Sequence, residues 1–191
     1  MINNKLPISL SNRHLHLKKE HIDLLFGLDY ELTKMKDLSQ PGQYAAMEKV
    51  DLVGRKGVIK GVRVLGPARN KTQVEISKTD SFVLGIETPV RDSGDLDGSA
   101  GLKIIGPKGE VVLEDGVILA ARHIHMHTED AKRFGVTDKQ VVRIKTSGER
   151  AIIFENVLVR VNPSYSLEMH VDVDEGNAAL INNYDLVELI K

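Results

Sequence analysis

Apolar residues in this chain alternate with polar ones over many short stretches, and two of those stretches resemble each other. Ser11-Asn12-Arg13-His14-Leu15-His16-Leu17 near the start and Ala120-Ala121-Arg122-His123-Ile124-His125-Met126 in the middle share an Arg-His-apolar-His order. Alternation predicts a strand, in which side chains at i and i+2 share a face. The two imidazoles of each pair then converge while the residue between them faces a core. After each pair the period lengthens: residues 18–27 and 127–135 read as short helices stopped by Gly27 and Gly135. Residues 32–36 and 141–145 then return to alternation. Each passage reads strand, helix, strand, and the two are taken as an internal duplication, too few units for a solenoid.

Elsewhere the pattern is strongly β. It predicts strands over residues 7–11, 58–65, 73–76, 82–86, 102–105, 111–113, 117–120, 151–154, 158–161 and 185–190. Pro41-Gly42, Gly66-Pro67 and Gly106-Pro107-Lys108-Gly109 punctuate them as turns, the last as a hairpin. Near the end, a short helix starting about Gly176 is expected to be capped by Asp174. Short strands at close intervals predict small barrels or a sandwich, not a parallel α/β sheet.

Composition narrows the chemistry. The 26 basic and 27 acidic side chains balance and aromatics make up 4%, which excludes a basic, aromatic-studded nucleic-acid surface while leaving room for a basic pocket. With no cysteine, disulfides, thiolate–zinc sites and thiol catalysis are excluded, and any metal must be held by histidine, carboxylate and water. The start lacks the apolar stretch of a signal peptide, and no apolar run approaches the ~20 residues that span a bilayer. A soluble, cytoplasmic protein with no membrane partner is expected. Phosphate-binding glycine motifs and a nucleophile elbow are missing. At 191 residues the chain is also shorter than the ~250 typical of an eight-stranded α/β barrel.

The chemistry-bearing candidates are therefore the histidine pairs and a few residues able to complete them. Glu75, between Val74 and Ile76, points away from the face those two bury; a glutamate so placed is ordinarily just solvated. His170, between Met169 and Val171, is a third nitrogen for one pair. Arg69 sits on the turn after Gly66-Pro67, where a guanidinium can clamp phosphate in a bidentate fashion; Lys56 and Arg63 are further basic candidates. Two other classes compete. Both passages contain His-x-His-x-x-x-Glu, through Glu20 and Glu129, which fits a two-domain cupin holding iron or manganese; the other is a non-catalytic metal-stabilised scaffold or shell-associated protein.

Taken together, residues 7–16, the middle passage 121–126, Glu75 and His170 resemble the phosphate propanoyltransferase family of phosphotransacylases over nearly the whole chain. The resemblance implies a mainly β fold of two small β-barrel domains, each capped by short α-helices. It implies that the first strand joins the C-terminal barrel, giving domains of residues 1–12 plus 121–191 and of residues 13–120. It implies two zinc ions between the barrels, one on His14, His16 and Glu75, the other on His123, His125 and His170. Arg69 would hold phosphate, and Ser11, Asn12, Arg13, Lys56, Arg63 and Asn177 would line the coenzyme A site. The implied reaction converts propanoyl-CoA or acetyl-CoA and phosphate into acyl phosphate and coenzyme A, with Arg69 and Glu75 in the catalytic set. A homodimer, an acyl kinase as functional partner and a role in propanediol degradation complete the expectation. Association with a bacterial microcompartment is left in question, because the amphipathic N-terminal extension of microcompartment members is missing here.

Overall fold

The structure, a computed structural model, describes residues 4–190; the first three residues of the N-terminal stretch read above lie outside them. In chain order the elements are β1 (Lys5–Ser11), β2 (His14–His16), α1 (Lys19–Phe26), β3 (Lys34–Asp37), β4 (Tyr44–Val53), β5 (Val58–Gly66) and β6 (Gln73–Glu75). Then come α2 (Lys78–Leu84), β7 (Val90–Arg91), β8 (Ala100–Ile105), β9 (Glu110–Ala120), β10 (His123–Met126) and α3 (Thr128–Phe134). The chain closes with β11 (Val141–Lys145), β12 (Ile153–Val161), β13 (Glu168–Asp172), α4 (Val173–Ala179) and β14 (Asp185–Ile190). No helix among the described residues is long and apolar enough to cross a membrane.

The chain divides into two compact units, Met1–Asn12 with Ser39–Pro41 and Ala121–Lys191, and Arg13–Leu38 with Gly42–Ala120. Each is a closed six-stranded barrel. In the first, the order β1-β13-β10-β12-β11-β14 returns to β1. In the second, β4-β5-β2-β6-β9-β8 closes when β8 pairs with β4, while β3 and β7 extend it at β4 and β9. The pairing senses match position for position: β2 lies parallel to β5 and antiparallel to β6, as β10 lies parallel to β12 and antiparallel to β13. The duplication read from the histidine pairs is thus a repeat of a whole barrel.

The strand that leads into each histidine pair belongs to the other unit from the pair itself. β1 precedes β2 but pairs in parallel with β13, and β9 precedes β10 but pairs in parallel with β6. Each barrel buries its own core. Leu15, Val64, Val74, Leu52 and Ile104 fill one and Ile8, Ile124, Val159, Met169 and Ile144 the other. Leu15 and Ile124, the residues between the paired histidines, are fully buried, which fixes the register: a one-residue slip would turn every imidazole into the core.

Three local expectations fail. Residues 82–86, read as a strand, lie mostly in α2, which starts one turn earlier because Ser77 and Asp80 form a reciprocal capping box. The C-terminal helix is capped by Asp172, not Asp174, again in a capping box, here with Glu175. Residues 111–113 with 117–120, and 151–154 with 158–161, read as separate strands, are the single strands β9 and β12. One long strand, β4, has no counterpart in the expectation; its burial alternates from Ala46 to Val53, but Glu48 is one of the buried residues and Met47 one of the exposed, which masks the period of two in the sequence.

Candidate functional site

Each barrel carries one cluster of side chains able to ligate a metal, built on two equivalent paired strands, β2 with β6 and β10 with β13. In one unit His14, His16 and Glu75 offer ligand atoms all within 4.8 Å of one another; in the other His123, His125 and His170 do the same. The pairing explains the convergence. His14 stands directly opposite Glu75 across β2 and β6, and His123 opposite His170 across β10 and β13, so residues far apart in sequence become same-face neighbours. Glu20 and Glu129, the carboxylates of the cupin alternative, lie instead in α1 and α3, where Glu129 pairs with Lys132, and neither joins a cluster.

The distances are compatible with ligands that share an ion. His14 Nε2 and Glu75 Oε2 are 3.6 Å apart, too long for a hydrogen bond. His123 Nε2 and His125 Nε2 are 3.0 Å apart. Two donors about 2 Å from one tetrahedral metal lie ~3.3 Å from each other, between these values. His16 and His125 are buried, and the Nδ1 of each has no hydrogen-bond partner among the described residues. An unmet buried polar atom costs ~1–3 kcal/mol, and a cation held at the first cluster would offset that for His16, whereas His125 faces its cluster through Nε2. Burial first, then the neighbouring His14 and Arg69, pushes the His16 pKa down to about 2. Burial and the neighbouring His123 and His170 do the same to His125. Both rings stay neutral, the state in which imidazole binds metal. The donor sets, two imidazoles with a carboxylate and three imidazoles, fit zinc.

A second layer of polar residues holds these ligands, and the sequence reading missed it. Gln73, opposite His16, donates from Nε2 to Glu75 Oε1 at 2.6 Å and to Ser93 Oγ at 2.8 Å, while its own Oε1 accepts from Gly94 N at 2.8 Å. Glu168, opposite His125, bonds His170 Nε2 at 2.8 Å and accepts from Ser9 Oγ at 2.6 Å and from Ser39 Oγ. Burial acts to raise the Glu168 pKa, but the bonds from His170, Ser39 and Ser9 prevail and hold it down at about 2, so it is a carboxylate. Tyr165 packs edge-on against the His125 ring at 4.6 Å. The signal for Gln73 and Glu168 is present only once β6 and β13 are aligned, since each stands two residues before the third ligand.

The arginines that precede the histidine pairs also have matching partners. Arg13 binds Asp80 through two contacts, Nε to Oδ2 at 2.8 Å and Nη2 to Oδ1 at 2.7 Å. Arg122 binds Glu175 at 2.7 Å and donates to the Glu155 carbonyl at 3.2 Å. Asp80 and Glu175 are the capping-box acids of α2 and α4, helices that begin just after Glu75 and His170. A closed circuit therefore runs in each unit from the histidine pair through arginine and helix cap to the third ligand.

Arg69 is half-buried on the turn after β5, its backbone N–H bonded to Leu17 O at 2.9 Å and its guanidinium 3.4 Å from Gln43 Oε1. Its charge is one of the influences that lower the His16 pKa. Arg63 faces His14 across β5 and β2 and donates to the carbonyls of Ala46 and Met47 at 2.7 and 3.1 Å. Lys56 is exposed beside α2, its N–H bonded to Leu84 O at 3.0 Å. Of the remaining residues named for coenzyme A, Arg13 lies with these in the second unit, whereas Ser11, Asn12 and Asn177 lie in the first, Ser11 opposite Asp172 and Asn177 exposed on α4.

Comparison with known proteins gives the family. The family profile described as phosphate propanoyltransferase matches residues 7–182. The phosphate propanoyltransferase of Thermotoga maritima is 57% identical over 185 residues, covering 96% of this chain and 88% of that protein. That of Priestia megaterium is 53% identical over 95% of this chain and 84% of its own length, and that of Clostridioides difficile 49% over 97% and 89%. The chain belongs to the phosphate propanoyltransferase family.

Proposed function

We propose that this chain exchanges coenzyme A for phosphate on a short acyl group, converting propanoyl-CoA or acetyl-CoA and phosphate reversibly into acyl phosphate and coenzyme A. In this reading His14, His16 and Glu75 hold one zinc ion and His123, His125 and His170 another. The observation that carries the reading is the pair of clusters, one in each barrel, in a chain of this family. Zinc bound there would supply Lewis acidity, for polarising the thioester carbonyl or accepting the departing thiolate.

The chain's own residues supply position and charge. Arg69, anchored through its backbone to the end of the β2 segment, presents a planar guanidinium that binds two phosphate oxygens and offsets their charge. It turns a third oxygen toward the acyl carbon, which lowers the entropic cost of bringing two anions together. The phosphate oxygen forms the new C–O bond, the C–S bond breaks, and the electron pair leaves with the coenzyme A sulfur. His16 and His125, held neutral by burial, remain donors across the physiological range. The chain contains no cysteine to carry an acyl group, which favours direct attack by phosphate. Trapping a labelled acyl-enzyme in the absence of phosphate would reject that route. One methylene changes discrimination by ~1–3 kcal/mol, so both acyl groups should turn over.

The test is release of free coenzyme A from propanoyl-CoA, measured with and without phosphate and repeated with acetyl-CoA. Phosphate-dependent release from both supports the reading. A folded preparation carrying two zinc ions that releases none rejects it.

A further inference from the structure

The two clusters share their geometry but not their charge. In one, the third ligand is the carboxylate of Glu75 and its buried partner is the neutral amide of Gln73. In the other, the third ligand is the imidazole of His170 and its buried partner is the carboxylate of Glu168. The positions are equivalent by register: Gln73 opposes His16 as Glu168 opposes His125, and Glu75 opposes His14 as His170 opposes His123. Adding ligand and partner gives one negative charge in each half.

The chemistry of each partner matches its ligand. An amide N–H is what a carboxylate ligand accepts, and Gln73 is itself held by Ser93 and the Gly94 N–H, so it cannot swing away. A carboxylate is what an imidazole N–H donates to, and Glu168 is held by Ser9 and Ser39. Fixing the proton on one ring nitrogen makes the other basic, which strengthens a histidine ligand. A buried site that gathers a divalent cation without anionic charge would face a large desolvation cost, whether that charge sits on the ligand or one bond behind it.

We propose that Gln73 and Glu168 are positioning residues of the two centres, and that Gln73–Glu75 and Glu168–His170 are exchangeable solutions to one requirement, a single negative charge beside a histidine pair. This rests on the metal-binding reading given above. It predicts that the pair from one half functions in the other.

The test is zinc affinity, read by competition with a chelator of known strength on the full chain, alongside circular dichroism and melting. Glu75→His alone puts three imidazoles beside a neutral amide and should weaken one centre at least 10-fold. Adding Gln73→Glu should restore it to within about 3-fold of the parent, a recovery that general damage to the fold cannot produce. Glu168→Gln, nearly isosteric, should weaken the other centre ~10–100-fold. The double variant binding no better than Glu75→His alone, or a folded Glu168→Gln holding both zinc ions as tightly as the parent, overturns the inference. A parent chain that retains no zinc would instead overturn the metal reading itself, so the two failures are distinguishable.

Discussion

Asp80→Asn isolates the contribution of the arginine circuit. The substitution keeps the side-chain shape and an oxygen for the helix cap but removes the charge facing Arg13. The Asp80 side chain is 3% exposed and that of Arg13 is 35%, and two contacts of 2.7 and 2.8 Å join them. Breaking a buried ion pair by neutralising one partner costs ~3–5 kcal/mol. Arg13 reaches solvent over about a third of its surface, so water recovers part of that and a loss of about 2–4 kcal/mol is expected. The equivalent pair in the other barrel provides an internal control. Glu175 is 20% exposed, and Arg122 has a further acceptor in the Glu155 carbonyl, so Glu175→Gln should cost only about 1–2 kcal/mol. Urea unfolding followed by circular dichroism, with m unchanged, gives both numbers. The reasoning is refuted if Asp80→Asn costs less than about 0.5 kcal/mol, or no more than Glu175→Gln.

Four further outcomes follow from the same geometry. Arg69→Ala should lower kcat/KM for phosphate by about 10²–10³-fold, and Arg69→Lys should recover only part, because an ammonium cannot bind two oxygens in a plane; steady-state kinetics at varied phosphate decides. Chelation should lower the melting temperature and zinc add-back restore it, as occurs when an ion binds only the folded state; an unchanged melting curve would contradict metal binding. In metal-free protein, His16 and His125 stay neutral to about pH 2 when folded but take up protons near 6.5 when unfolded, so acid favours unfolding. Stability is unaffected above pH 6.5 and falls below it, by about 2 kcal/mol per histidine at about pH 5, in a urea titration at several pH values. Gly54→Ala should cost ~1–3 kcal/mol, because the added carbon would meet the Leu84 backbone carbonyl at 2.1 Å, and thermal denaturation would detect it.

What the sequence reveals here is decided by range. A histidine pair at spacing two on an alternating stretch is local information, and both β2 and β10 follow it. The helices stopped by Gly135 and Gly27 are local too, Gly135 adopting the left-handed conformation that glycine accepts readily. Phe82, Val83 and Leu84 resemble a β run in isolation, and the signal that decides for the α2 helix, Ser77-x-x-Asp80, begins five residues upstream. The strand β4 is hard to read because its buried positions include Glu48 while Met47 faces out, so the apolar-polar alternation that marks other strands is inverted at its centre. Gln73 and Glu168 were invisible for a different reason: their roles come from which residues stand opposite them, and strand pairing is not written in any one stretch. Even so, Gln73-Val74-Glu75 and Glu168-Met169-His170 occupy the same place in the repeat, so extending the duplication past the histidine pairs would have exposed both.

The most direct test of the account is a zinc titration of chelated, metal-free enzyme, following phosphate-dependent release of coenzyme A from propanoyl-CoA. The account predicts that activity rises with added zinc and saturates at two ions per chain. Full activity without zinc, or saturation only with iron, would contradict it.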